Sequence, residues 1–99
     1  MAKKQTNNFD ISGKVLEVGG AERISDKFSK RVLIMEVFDN KGYSNEIPFE
    51  FVNQSMDQIK DVKAGEWVTI NHQYKSRKTN KDGVTRRFIT MEGISCYKE

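Results

Sequence analysis

The sequence predicts an all-β domain, a five-stranded OB-fold barrel with one short helix between strands 3 and 4. Three observations carry this. Alternating apolar stretches separated by Gly- and Asn-rich turns recur along the chain, and only one short stretch has helical spacing. That stretch lies late, around Met56 and Ile59, between the third and fourth alternating runs. Directly after it, Asp61-Val62-Lys63-Ala64-Gly65-Glu66-Trp67-Val68-Thr69-Ile70 passes from a polar approach through a Gly-led turn into a strand. Gly65 takes φ > 0 without steric cost, so the chain can reverse there. A short helix feeding through such a turn into the fourth strand is how an OB-type barrel closes its bottom. An open five-stranded sheet on one helix competes, but this helix is too short to cover a sheet. An SH3-like barrel would not place its helical turn before the fourth strand and follow it with a long fifth hairpin.

Each element has its own justification. Residues 1–8 are polar and read as a flexible arm, leaving 9–99 as the OB-fold domain. In Phe9–Val18, Phe9, Ile11, Gly13 and Val15 share one face against Asp10, Ser12 and Lys14. Gly13 inside this run suggests a bulge or sharp coil, which lets a first strand serve two sheets. Gly19-Gly20 ends the strand, and residues 19–29 read as a polar loop. Residues 30–39 are rich in β-branched and aliphatic side chains, and Asp39-Asn40-Lys41-Gly42 is a turn. Residues 43–52 return with Ile47, Phe49 and Phe51 on one face. Pro48 cannot donate to a ladder, so this strand is expected at an edge or bulged there. Ser55-Met56-Asp57-Gln58 reads as a capping box opening the helix. The fourth strand is expected from 66 to about 75, a hairpin loop over 76–85 with Asp82-Gly83 at its tip, and the last strand over 86–97. Val68 and Ile70 face the core; Trp67, Thr69 and Asn71 face outward.

Composition narrows the function classes. Ninety-nine residues make one domain, and 36% hydrophobic with 31% charged is polar but sufficient for a core. The net charge of +3 is modest, yet the bases gather at the N-terminus, at 27–31 and at 75–87. Clustered bases on a small domain point to a polyanionic partner. Cys96 is the single cysteine, which excludes an internal disulfide and a Cys-based zinc site. No apolar run approaches membrane-spanning length and no signal-peptide core follows Met1, so a cytoplasmic protein is expected, in a bacterial cell or, if phage-encoded, in its host.

Enzyme chemistry has little support, and no cofactor or metal is expected. His72 is the only histidine and shares the face of Val68 and Ile70, so it reads as structural. Ser12-Gly13-Lys14 lacks both the upstream glycine and the following Ser/Thr of a phosphate loop. Glu46 and Glu50 flank Pro48 without a partner base or metal ligand, and read as a solvated face.

The basic and aromatic residues carry the functional signal. Lys75, Arg77, Lys78, Lys81, Arg86 and Arg87 crowd one hairpin, opposed by Asp82. Arg23, Lys27, Lys30 and Arg31 are expected to face them. OB-folds bind oligonucleotides over strands 2 and 3, between the first loop and the fourth-to-fifth loop, the two loops that carry these charges. Single strands require cations along the phosphates and flat rings under the bases. Phe28, Tyr43, Tyr74 and Phe88 are the candidate rings. Trp67, with Val32 and Ile34, reads as a surface for a homo-oligomer.

These residues resemble a known family. Lys30-Arg31-Val32-Leu33-Ile34-Met35-Glu36-Val37, then Tyr43…Ile47-Pro48-Phe49-Glu50-Phe51, looks like a small bacterial and phage family of single-domain OB proteins. That family was long described as a domain of unknown function related to single-stranded-DNA-binding proteins. The Gly65 segment and Ser76-Arg77-Lys78…Gly83…Phe88 fit its pattern, and the resemblance covers roughly residues 9–99. Phe28 stands where the family tends to have tryptophan, which keeps a stacking ring. Lys78 replaces a more usual acid and Thr79 an aromatic residue, so the hairpin is more basic and less stacking-prone. The resemblance implies a single-stranded-DNA-binding protein with little sequence preference in replication or recombination. An interaction module docking replication proteins, or an RNA binder, is the alternative. The chain stops at Cys96-Tyr97-Lys98-Glu99, so recruitment of partners by an acidic tail is expected to be absent.

Overall fold

A computed structural model describes residues 7–99. Six strands and one 3₁₀ helix follow in order: β1 (Phe9–Val18), β2 (Glu22–Ser25), β3 (Phe28–Phe38), β4 (Ser44–Val52), the helix Asn53–Ile59, β5 (Trp67–Lys81) and β6 (Val84–Lys98). Five of the strands close a barrel in the order β1-β5-β6-β4-β3, with β1 returning to β3. The OB-fold expected from the sequence is the fold of the protein. The short β2 lies on the open edge of β3, inside what reads from sequence as a polar loop.

Closure depends on β1 changing partners along its length. Its first half pairs with β5, from Phe9↔His72 to Lys14↔Trp67, and its second half pairs with β3, from Lys14↔Glu36 to Val18↔Leu33. Gly13 sits just before the switch. A Cβ there would run into the Glu36 carbonyl oxygen, so glycine is what lets β1 approach β3 so closely. The irregularity itself lies between Val15 and Glu17, one turn of the pleat later than the bulge expected at Gly13. Close backbone approach, rather than a bulge, explains the glycine.

Val15, Leu33, Met35, Phe49, Phe51, Val68 and Ile70 point into the barrel, and Ile59 and Val62 close its bottom. Burying each large aliphatic or aromatic side chain contributes about 1.5–3 kcal/mol. The plug is tied to β1 through the backbone: Gly65 N–H donates to the Val15 carbonyl at 2.7 Å and Val15 N–H to the Glu66 carbonyl at 2.8 Å. Gly65 has φ +95°, as its turn requires. The helix differs from expectation at its start. It begins at Asn53 with Val52 as N-cap and no side-chain cap, so Ser55 and Gln58 do not form a capping box. A 3₁₀ turn running straight out of β4 leaves Ser55 inside the helix, where its hydroxyl has no first-turn amide to cap.

Pro48 keeps unbroken register with β3, opposite Ile34. On its other side β4 meets β6 only at Phe49↔Met91 and Glu50↔Glu92, so Pro48 stands just outside that pairing, at an edge. The largest difference from expectation is the hairpin. Residues 76–85 are a paired ladder, continuous from Val68↔Lys98 to Lys81↔Val84 apart from one irregularity at Asn71/His72. Only Asp82 and Gly83 turn, both with positive φ (54° and 75°), which is the two-residue turn whose twist matches its strands. From Tyr74 to Ile89 every residue is exposed, so the ladder stands out from the barrel as a two-stranded arm.

Candidate nucleic-acid interface

Strand pairing divides the basic residues of the arm between two faces. Directly opposed residues of an antiparallel pair point to the same side. Lys75↔Thr90, Arg77↔Phe88, Thr79↔Arg86 and Lys81↔Val84 therefore share one face, which continues the outer wall of the barrel. Tyr74↔Met91, Ser76↔Ile89, Lys78↔Arg87 and Asn80↔Thr85 share the other, continuous with the side of buried His72. The cluster read from sequence is thus four cations on the outer face and two, Lys78 and Arg87, on the inner. Among the described residues none of the six forms an ion pair. Arg77 lies over the Phe88 ring, 5.4 Å from its centroid, so a cation and a flat apolar face are presented together.

Phe28 opens β3 on the same outer wall and is 37% exposed. It borders a groove whose walls include Val52 and Glu50 of β4, Lys75 and Arg77 of β5, and Thr90 and Glu92 of β6. A second groove between Lys27, Phe28 and the start of the helix is lined by polar Asn53 and Gln54. Asn53 holds that corner: its Oδ1 accepts the Ser29 N–H at 3.0 Å, with Asn53 itself at φ 49°. Along the arm a third groove runs over Arg77, Thr79, Lys81, Val84, Arg86 and Phe88. Phe28 and Phe88 thus share one outer surface with Lys75, Arg77, Lys81 and Arg86. Thr79, Val84 and Thr90, which the sequence reading did not select, belong to it by strand alternation.

The remaining candidates are placed differently. Arg23 pairs with Asp26 at 2.9 Å, and Lys30 with Glu50 at 3.8 Å. Arg31 faces the barrel end, where its Nε donates to the Gly19 carbonyl at 2.6 Å and ties the first loop down. Those contacts partly occupy cations that were expected to face the arm. Tyr74 lies on the inner face in an aromatic group, 5.2 Å from Phe9 and 5.9 Å from His72 between ring centroids. Asn7 clamps it there, donating to the Tyr74 carbonyl at 2.7 Å and accepting its N–H at 3.0 Å. Residues 1–6 of the arm expected over 1–8 lie outside the described residues. His72 is buried edge-on to Phe49 at 5.1 Å, as a structural histidine would be.

Tyr43 stands at the far end of the β3–β4 hairpin, about 30 Å of strand path from Phe28. The turn before it is organised by Asp39. The backbone N–H of Tyr43 chiefly, with those of Lys41 and Gly42 and the Asn45 amide, holds the Asp39 carboxyl below the usual carboxylate range. At the plug, the Lys63 N–H and the Lys98 ammonium do the same for Glu66. Burial pushes the Cys96 thiol up, which leaves it a poor nucleophile. Among the described residues no three His, Cys, Asp or Glu side chains gather as metal ligands would.

Comparison with known proteins agrees with this fold. The fold is similar to the N-terminal domain of PriB from Thermoanaerobacter tencongensis, described as dimeric (TM-score 0.66, 17% identity, covering 94% of this chain and 96% of that one). It is similar to the mitochondrial single-stranded DNA binding protein Rim1 of S. cerevisiae (TM-score 0.70, 12% identity, 96% of each chain). A deletion mutant of the single-stranded DNA binding protein from Thermus aquaticus also matches (TM-score 0.66, 13% identity, 95% of this chain and 50% of that one). At such identities the likeness establishes the fold. No curated protein matches the sequence. Residues 10–96 match the family described as Domain of unknown function (DUF3127), and the chain belongs to that family.

Proposed function

We propose that this protein binds single-stranded DNA without catalysing a reaction, with little sequence preference, in replication or recombination in the cytoplasm. The observation that carries the reading is the outer wall shared by Phe28, Phe88 and the four cations Lys75, Arg77, Lys81 and Arg86. Phosphates would follow the cations, releasing counterions, while bases stack on the rings. The solved structures of similar fold include proteins named for binding single-stranded DNA, which supports the reading. A protruding two-stranded arm suits a flexible strand, which can bend across both arm and barrel, better than a stiff duplex.

A second reading has its own observation. Trp67 and Tyr97 are 50% and 62% exposed on the outside of β5 and β6, beside Ser12 and Thr69 and away from Phe28. That face suits a second copy of the chain or a replication protein. Fluorescence anisotropy with labelled single-stranded DNA, duplex DNA and single-stranded RNA at two salt concentrations tests the main reading. Tighter, salt-sensitive binding of single-stranded DNA is expected. Preference for RNA moves the assignment to an RNA binder, and binding of none leaves the interaction module.

A further inference from the structure

Two glutamates, Glu50 and Glu92, line the groove beside Phe28 together with the cations Lys75 and Arg77. Their position follows from topology. The parallel contact of β4 with β6 is only two residue pairs long, and its outward-facing pair is Glu50↔Glu92. Adjacent strands lie about 4.8 Å apart, so two acidic side chains leave the sheet from neighbouring positions, where like charges repel. The surroundings fix both without fully satisfying them. Gln73 Nε2 donates to Glu92 Oε1 at 2.7 Å, and Lys30 Nζ approaches Glu50 Oε1 at a loose 3.8 Å. The second oxygen of each has no partner among the described residues. Side-chain exposure of 30% at Glu50 leaves it accessible from the groove.

A phosphate would avoid this acidic pair, and the neighbouring Lys75 and Arg77 give it a better path. A base would not avoid it. With its face on Phe28, a base directs its edge along the groove, where a carboxylate oxygen accepts hydrogen bonds and donates none. Cytosine offers its exocyclic N4 amine to such an acceptor. Thymine presents the O4 carbonyl at the same position, and oxygen would face oxygen. We infer that Glu50 and Glu92 read the base stacked on Phe28 and favour amine-bearing bases, cytosine foremost, over thymine. This rests on the proposed binding of single strands and adds to it one biased position within an otherwise tolerant surface.

The test is anisotropy titration of the full chain with equal-length oligo(dC) and oligo(dT) at neutral pH. Wild type should bind oligo(dC) tighter, on the order of tenfold, as expected for one base-edge contact. The Glu50→Gln, Glu92→Gln double variant keeps side-chain size and removes two negative charges. Its affinity for oligo(dT) should rise, and the dC:dT ratio should fall towards one. Glu17→Gln, an exposed β1 carboxylate outside the groove, should keep the wild-type ratio. Thermal melts confirm that each variant is folded. Equal or tighter binding of oligo(dT) by wild type, or an unchanged ratio in the double variant, overturns the base-reading role while leaving single-strand binding intact. Failure to bind either strand overturns the role together with the function on which it rests.

Discussion

Replacing Arg77, Lys81 and Arg86 together by Ala removes three cations from the outer face of the arm, whereas Lys78→Ala with Arg87→Ala removes two from the inner face. The pairs Arg77↔Phe88, Thr79↔Arg86, Lys81↔Val84 and Lys78↔Arg87 define the two sets. For single strands, log K falls with log salt by about 0.7 per phosphate neutralised. If each outer cation meets one phosphate, the outer variant should flatten the slope by about 2. Were charge alone to matter, the inner variant should flatten it by about 1.4. The geometry predicts much less for that variant, because its cations point with Ser76 and Ile89 towards the opposite side of the ribbon. The assay is a set of anisotropy isotherms at four or five salt concentrations for wild type and both variants. Slopes that flatten in proportion to the charge removed, whichever face it came from, would refute the reasoning. The arm would then act as an undirected cloud of charge.

Other expectations concern stability and stacking. Ile59 is fully buried under the barrel, so Ile59→Ala should cost about 2–5 kcal/mol in denaturant titration while the folded fraction binds normally. A Cβ on Gly93 would enter the ring of buried Phe51, so Gly93→Ala should destabilise by about 1–3 kcal/mol, read as a lower thermal midpoint. Phe28→Ala should melt near wild type yet bind single strands about 1–3 kcal/mol more weakly, with the salt slope unchanged. Asp39, whose carboxyl is held low by the Tyr43 N–H, should stabilise its turn above the ordinary carboxylate pKa and lose that contribution as pH falls through its lowered value. Asp39→Asn should therefore melt lower than wild type at neutral pH, and the difference should shrink in acid.

The closed end of the barrel was legible because several signals coincided there. Gly65 needed positive φ, Val68 and Ile70 alternated with polar neighbours, and Ile59 and Val62 had nothing else to cover. The arm was not legible as strand. Lys75–Lys81 is nearly all polar and exposed on both faces, so no hydrophobic alternation marks it; the pairing is imposed by the Asp82-Gly83 turn and by the barrel strands it extends. That gap hides the division of the bases, because alternation means nothing in a segment that reads as a loop. Gly13 marks where β1 passes from one partner strand to the other, as its place in the sequence suggests, but a bulge and a close approach both demand a glycine, and only the position of Glu36 separates them. Tyr43 and Tyr74 had the right chemistry for stacking, but their places depend on hairpin length and on Asn7, which no local pattern encodes.

The central claim is that single strands lie on the outer wall between Phe28 and Phe88. Backbone amide chemical-shift perturbation by NMR, on titration with a single-stranded oligonucleotide, tests it most directly. The largest shifts should fall on residues 27–32, 50–52, 75–81 and 84–90, with Ser12, Trp67 and Tyr97 little affected. Shifts concentrated at Ser12, Trp67 and Tyr97, with the arm unmoved, would contradict the account.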